Sequence, residues 1–297
     1  SIKLKSSNAS VNISPLLDPL QLSYSNRRGL SYKMKIDTKY NLSLDKYITF
    51  KPSIGYNFKI NKFFYSAPFR YTISQKKGNW LELIVANGNR ITHSSVIEML
   101  NGTNIDTIDF HKLKLDYFND QRIKLYGNIS LSSKIGLMLG CTYHNREAVN
   151  KSMLVSLGKQ SNYRSFAPLL TISYSPTPQW PLFTANYERS IKGILGSNIE
   201  YERWEFDTSY KKELGSLRNL SLRLGGGLYT NRSSTYFVDF ENFHEDYLPD
   251  GWEDEWTGNF QMLNSDWYNA SEYYLRMNVT YESPLMIISR LPIIGKF

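Results

Sequence analysis

Residues 30–60 read LSYKMKIDTKYNLSLDKYITFKPSIGYNFKI. From Leu30 to Leu44 every even position (Leu30, Tyr32, Met34, Ile36, Thr38, Tyr40, Leu42, Leu44) is apolar or threonine, and every odd one is polar. Side chains on a strand alternate between faces, so an unbroken period of two predicts one long strand with an apolar face and a polar face. At about 3.4 Å per residue such a strand reaches roughly 50 Å, well beyond the usual length. After Asp45, Lys46 and Tyr47 the alternation resumes, with Ile48, Phe50, Pro52, Ile54, Tyr56, Phe58 and Ile60 on one face.

Directly opposed residues of neighbouring strands share a face, so an odd-length loop preserves the parity of the apolar set and an even one reverses it. Leu44 opposite Ile48 leaves three loop residues. The apolar set then becomes odd (Phe63, Tyr65, Ala67, Phe69, Tyr71, Ile73), and Ile60 opposite Phe63 leaves the two-residue turn Asn61 and Lys62. Further runs follow: Leu81–Val85, Ile123–Leu131, Ile135–Tyr143 after the three-residue turn Ser132 to Lys134, Phe166–Tyr174, Pro181–Tyr187, Trp204–Tyr210, Leu220–Leu228, a shorter one around Phe260 and Met262, and Tyr273–Tyr281. Asn87–Asn89 reads as a turn leaving a strand. Ser95 with Glu98 has capping-box spacing and predicts a short helix near 95–101 within a long connection. Gly225–Gly227 reads as close packing or a bend.

The expected fold is all-β: an antiparallel up-and-down transmembrane β-barrel of about twelve strands, incomplete at its C-terminal end. Residues 1–28 form a lead-in segment that contributes at most one strand, 29–297 the barrel, and 231–257 a long acidic loop. Short links near residues 45, 76, 132, 176, 214 and 266 alternate with longer ones near 90–120, 145–165, 190–198 and 231–257, the habit of outer-membrane barrels. Expected to face lipid are Tyr32, Met34, Ile36, Tyr40, Phe50, Tyr56, Phe58 and Phe69. Expected to face the lumen are Lys33, Lys35, Asp37, Lys39, Lys51, Arg203, Glu205, Asp207, Arg223 and Arg276. Aromatic residues make up 14% of the chain, including 22 Tyr and 6 Trp, which suits rings seated at a membrane interface.

The net charge of +8 is unevenly spread. Asp239, Glu241, Glu245, Asp246, Asp250, Glu253, Asp254 and Glu255 fall in one stretch without Lys or Arg, leaving 35 bases against 19 acids elsewhere. With His244, Trp252 and Trp256 this loop is the best candidate ligand site. No EF-hand spacing is present, so a solvated outer loop with basic counter-charges is favoured over calcium, and no cofactor is expected. The four histidines are scattered and no nucleophile turn accompanies them, so no enzyme is expected. Bases and rings fall mostly on opposite faces, which argues against a nucleic-acid groove. Cys141, the one cysteine, excludes an internal disulfide. No apolar run approaches the roughly 18 residues of a membrane-crossing helix.

GLSY (29–32), GYNF (55–58), ANGNRI (86–91), YERSIKGILG (187–196), YERWEFD (201–207), YFVDFENF (236–243) and YESP (281–284) occur in this order. Together they resemble a family of Bacteroidetes outer-membrane β-barrels of unknown function. Its full-length members carry a carboxypeptidase-regulatory-like domain ahead of a barrel distantly similar to the BamA-type surface-antigen barrels. The resemblance runs from about Asp18 and implies outer-membrane localisation in a Gram-negative bacterium. It also implies lipid and other envelope proteins as partners, and an assembly or scaffold role. It carries no catalytic residues. A pore or surface-binding barrel is the alternative function, and a soluble β-sandwich the alternative fold.

Overall fold

The computed structural model describes residues 2–6, 8–14, 22–25, 29–58, 61–91, 117–156, 160–177, 179–215, 218–231 and 273–283. They form an all-β antiparallel sheet with one short α-helix, α1 (Lys151–Ser156), and one 3-10 turn (Ile194–Gly196). The strands are β1 (Ile2–Lys5), β2 (Ala9–Ile13), β3 (Leu22–Ser25), β4 (Gly29–Asn41), β5 (Tyr47–Phe50), β6 (Ser53–Asn57), β7 (Lys62–Ser74), β8 (Asn79–Ile91), β9 (Tyr117–Ser130), β10 (Ile135–Ala148), β11 (Asn162–Tyr174), β12 (Leu182–Ser190), β13 (Tyr201–Gly215), β14 (Arg218–Thr230) and β15 (Tyr273–Glu282). The fifteen segments make thirteen rows, because β2 and β3 lie in line along one side of β4, and β5 and β6 along the other. Each row pairs antiparallel with the next from β4 to β15, and β1 lies outside β2.

Parity survives where register does not. Tyr40, not Leu44, opposes Ile48, so the β4–β5 link is five residues (42–46), still odd. Leu42 and Leu44 leave the strand for this exposed turn, and β4 is thirteen residues long, about 44 Å. Tyr56, not Ile60, opposes Phe63, leaving four residues between Asn57 and Lys62, still even, with Asn61 left-handed at φ 57°. Between them the apolar run breaks at Lys51 and Pro52, because proline cannot donate to the ladder. The gap is still stitched by Ile36 N–H to the Pro52 carbonyl (2.9 Å) and Lys51 N–H to the Pro68 carbonyl (3.1 Å). The Ser132–Lys134 turn is found as read, with Leu131 N–H donating to the Ile135 carbonyl at 3.0 Å.

One reading is corrected. Asn87–Asn89 is no turn: β8 runs on to Ile91, with Asn87 opposite Gln121 and Gly88 opposite Asp120. The run around Phe260 and Met262 lies outside the described residues, and β14 pairs directly with β15 (Leu228 opposite Tyr273). Residues 2–25 hold three strand segments in two rows. The helix expected near 95–101, the acidic loop beyond Asn231 and residues 284–297 lie outside the described residues.

One clasp joins neighbouring short turns. Ser74 Oγ (2.7 Å) and Lys76 N–H (2.9 Å) donate to the Asp45 carboxylate. These hydrogen bonds, the Lys76 amide foremost, hold the Asp45 carboxyl below its ordinary pKa. At the other end Gly55, between Lys33 and Phe64 in the ladder, leaves room for the buried Phe64 ring to lie over the backbone. A Cβ there would stand 2.3 Å from Phe64 Cζ and 2.5 Å from the Tyr32 carbonyl oxygen. Gly55→Ala is therefore expected to destabilise the fold by about 1–3 kcal/mol, the usual cost of overpacking, read from the unfolding midpoint in urea.

The packed side of the sheet is its polar one. Neighbours on a single strand show the contrast: Glu205 is 1% exposed and Phe206 is 53% exposed. Lys33, Asp120, Lys124, His144, Arg146, Glu188, Arg203 and Arg276 are buried, whereas Phe69, Leu83, Leu125, Leu139, Ile172, Leu224 and Met277 are exposed. A water-soluble sheet has the opposite arrangement.

Candidate functional site

The polar face of β12–β15 carries a continuous charged network. Glu188 on β12 opposes Arg203 on β13. Arg203 Nη2 donates to Glu188 Oε2 at 2.7 Å, and the Tyr201 hydroxyl donates to Oε1 at 2.6 Å. Arg203 Nε also stands 3.5 Å from Glu205 Oε2, so one guanidinium holds two carboxylates. Two residues along β13, Asp207 Oδ2 accepts from Arg223 Nε at 2.7 Å and lies 4.0 Å from Arg276 Nη2. Three carboxylates thus meet three guanidiniums, and the wall they build is internally neutral.

The run Gly225–Gly227 explains how β15 joins a network centred on β13. In the ladder Glu205, Gly227 and Tyr274 lie in one row, and Asp207, Gly225 and Arg276 in the next but one. With no side chain on β14 at these two places, residues on the flanking strands meet over it. Tyr274 OH donates to Glu205 Oε1 at 3.0 Å, and a Cβ on Gly225 would sit 3.3 Å from Arg276 Nε and 3.5 Å from Asp207 Oδ1. The glycines mark close packing, as expected, but the packing is of ion-pair partners.

Arg203, Glu205, Asp207, Arg223 and Arg276 are brought together as one site. Lys33, Lys35, Asp37, Lys39 and Lys51 are not part of it. They follow β4 and the β5–β6 break, from buried Lys33 to an exposed Asp37–Lys51 pair at 4.0 Å, with Lys39 over the Tyr47 ring at 4.2 Å. A second buried polar cluster lies on β9 and β10, where His144 Nδ1 is 3.1 Å from both oxygens of Asp120 and Arg146 Nε is 3.5 Å away. The sequence reading missed Asp120, His144, Arg146, Glu188, Tyr201 and Tyr274.

A signal for some of them was present in the repeated tripeptide Tyr-Glu-Arg at 187–189 and 201–203. Antiparallel pairing sets Glu188 opposite Arg203 and Arg189 opposite Glu202, so the two copies build a carboxylate–tyrosine–arginine cluster on each face. The buried cluster is the one above. Its mirror on the apolar face has Tyr187 OH donating to Glu202 Oε1 at 3.2 Å and Arg189 Nε 3.6 Å from the same atom. Among the described residues no group of three or more metal-type ligands is found.

The apolar face has its own order. Tyr40, Phe50, Phe58 and Phe69 are exposed on it, and Tyr32, Met34, Ile36 and Tyr56 are half-buried. On β4, β11 and β15 an aromatic ring recurs after eight residues on that face: Tyr32 to Tyr40, Phe166 to Tyr174, Tyr273 to Tyr281. The positions between hold Met34, Ile36 and Thr38, then Pro168, Leu170 and Ile172, then Leu275, Met277 and Val279. Eight residues span about 27 Å along a strand, or about 20 Å across a sheet tilted by roughly 40°. Tyr187 and Trp204 pack with ring centroids 4.3 Å apart at one level, and Tyr174 and Phe183 stack at 6.5 Å at the other.

No curated protein matches this chain. A domain described as "Family of unknown function (DUF5686) C-terminal domain" matches residues 1–178 and 171–297, which together span the whole sequence, so the chain belongs to that family.

Proposed function

We propose that this chain forms the wall of a transmembrane β-barrel in the outer membrane of a Gram-negative bacterium, of the Bacteroidetes type its motifs resemble. The observation that carries this reading is the inverted polarity of the sheet, with charge on its packed side and Leu, Ile, Phe and Met on its open one. Hydrocarbon solvates such an apolar surface at no cost, whereas water penalises it by about 25 cal/mol per Å². Aromatic rings bounding a band of about 20 Å support the same reading. A membrane sheet satisfies its edge amides only by closing, so the outer rows β1 and β15 meet a partner row in the folded barrel. The lipid-facing residues are then Tyr32, Met34, Ile36, Tyr40, Phe50, Tyr56, Phe58 and Phe69.

The barrel is non-enzymatic and acts as a scaffold that engages another envelope protein, in line with its distant resemblance to BamA-type barrels and with the carboxypeptidase-regulatory-like domain that full-length members of the family it resembles carry. The internally neutral, hydrogen-bonded wall along β12–β15 supports a filled interior there over an ion-selective conduit, which needs one sign of charge lining its path. Reconstitution into planar bilayers tests this. A silent barrel with a co-purifying envelope protein is expected; steady ion-selective current would overturn the scaffold in favour of a pore. Full-length protein remaining soluble without detergent would overturn the barrel itself.

A further inference from the structure

The links of the sheet fall at two ends. One end gathers the β1–β2 link and the five turns β4–β5, β7–β8, β9–β10, β11–β12 and β13–β14. The bases on and beside the five turns are Lys46, Lys76, Lys77, Lys134, Lys211, Lys212 and Arg218, against the acids Asp45, Glu213 and Glu282. All six lysines are exposed. Arg218 donates to the Gly215 carbonyl at 3.3 Å, while Asp45 is held by the neighbouring turn and Glu282 accepts from Asn219 at 3.2 Å. The lysines therefore set the sign of this rim.

The same turns present apolar side chains to the outside. Leu44 is fully exposed, and Leu42, Leu131, Trp180 and Leu214 are also exposed. Four of the five turns thus carry a large apolar residue, and three of those carry lysine within three residues of it (Leu44 and Lys46, Leu131 and Lys134, Leu214 and Lys212). Just inside them stand Tyr40, Tyr71, Tyr174, Tyr210 and Tyr281. An apolar tip beside an ammonium is the pairing found where protein meets a lipid headgroup layer: the tip enters the acyl boundary and the long lysine stem carries its charge to the phosphates.

We propose that this short-turn rim is a collar that binds anionic phospholipid headgroups of the leaflet in which it sits. The collar rests on the membrane reading above and adds to it a lipid class and the residues that select it. An acidic protein would be drawn by the lysines alone. The exposed Leu44, Leu131 and Trp180, placed where a bilayer boundary would lie, favour lipid as the occupant.

The test uses the full chain reconstituted in phosphatidylcholine vesicles, with spin-labelled phosphatidylglycerol or phosphatidylcholine as probe. Electron spin resonance then gives the relative association of each lipid with the protein. At low salt the wild type is expected to favour phosphatidylglycerol by roughly twofold to fivefold, falling to parity in about 0.5 M NaCl. The Lys46→Gln, Lys76→Gln, Lys77→Gln, Lys134→Gln variant should insert equally well and show no preference. Equal association of both lipids with inserted wild-type protein overturns the collar and leaves the barrel standing, as does a preference unchanged in the variant. Binding of polyglutamate without lipid preference assigns the rim to an acidic chain and also overturns it. Protein that does not float with vesicles refutes the barrel reading beneath.

Discussion

Replacing Arg203 by leucine is expected to destabilise the folded protein by about 3–5 kcal/mol, measured by urea unfolding of the protein refolded in detergent micelles. Arg203 touches two carboxylates of the network, Glu188 at 2.7 Å and Glu205 at 3.5 Å. Both acids are buried, Glu205 almost completely. Removing the guanidinium leaves two negative charges on the packed face, where desolvation is most costly, although Tyr201 OH still donates to Glu188 and Tyr274 OH to Glu205. Adding Glu188→Leu to Arg203→Leu should recover part of the loss, and the double-mutant cycle isolates the pair. The mirror cluster supplies an internal control. Arg189→Leu removes a cation at the same point of the same tripeptide, but on the exposed face, where Arg189 stands 3.6 Å from Glu202. A pair of that kind is worth about 0–1 kcal/mol. Equal losses at Arg203 and Arg189 would mean that the two faces do not differ in burial, against the inverted polarity on which the membrane reading stands.

The arginine pair also shows how far the sequence can be read. Alternation in the middle of each row is strong because one face must be uniformly apolar, and the runs with four or more alternating members lie mostly in strands, the one at Ile48–Ile60 being split between β5 and β6 at Pro52. Parity also constrains loop lengths to odd or even. It cannot choose between loops that differ by two residues, which is why the hairpins at residues 45 and 60 have the right faces and the wrong registers. At the long-loop end the strands outlast their apolar residues. Tyr117–Arg122, His144–Ala148 and Asn162–Ser165 belong to β9, β10 and β11, yet offer a pattern reader few greasy side chains. What holds them is a ladder of backbone bonds and buried polar pairs such as Asp120 with His144 and Arg146. Those pairs connect residues 24 or more apart, a separation at which local periodicity carries no information. Gly225 and Gly227 pose the same difficulty: their lack of a side chain matters only because Asp207 and Glu205 lie on one side of them and Arg276 and Tyr274 on the other.

Leu139→Arg separates a membrane wall from a water-exposed sheet more sharply than any substitution on the polar face. Leu139 lies on the apolar face of β10, 50% exposed and paired with Leu170, which is the midpoint between Phe166 and Tyr174. If lipid covers this face, the new guanidinium sits near the bilayer midplane and costs about 2–4 kcal/mol. If water covers it, an arginine on an exposed strand position changes stability by less than about 0.5 kcal/mol, and loss of an exposed leucine works in the protein's favour. Depth gives a second, independent reading. Ile135→Arg lies on the same face of the same strand, four residues nearer the short turns and beside Tyr174. There the headgroup layer is within reach of the side chain, so the cost should fall to about 0–1 kcal/mol. Folding of the three proteins into vesicles, followed by urea titration, measures the difference. A penalty that is large at Leu139 and small at Ile135 is the signature of a hydrocarbon slab. Two small and equal penalties would place both residues in water and remove the membrane from the account.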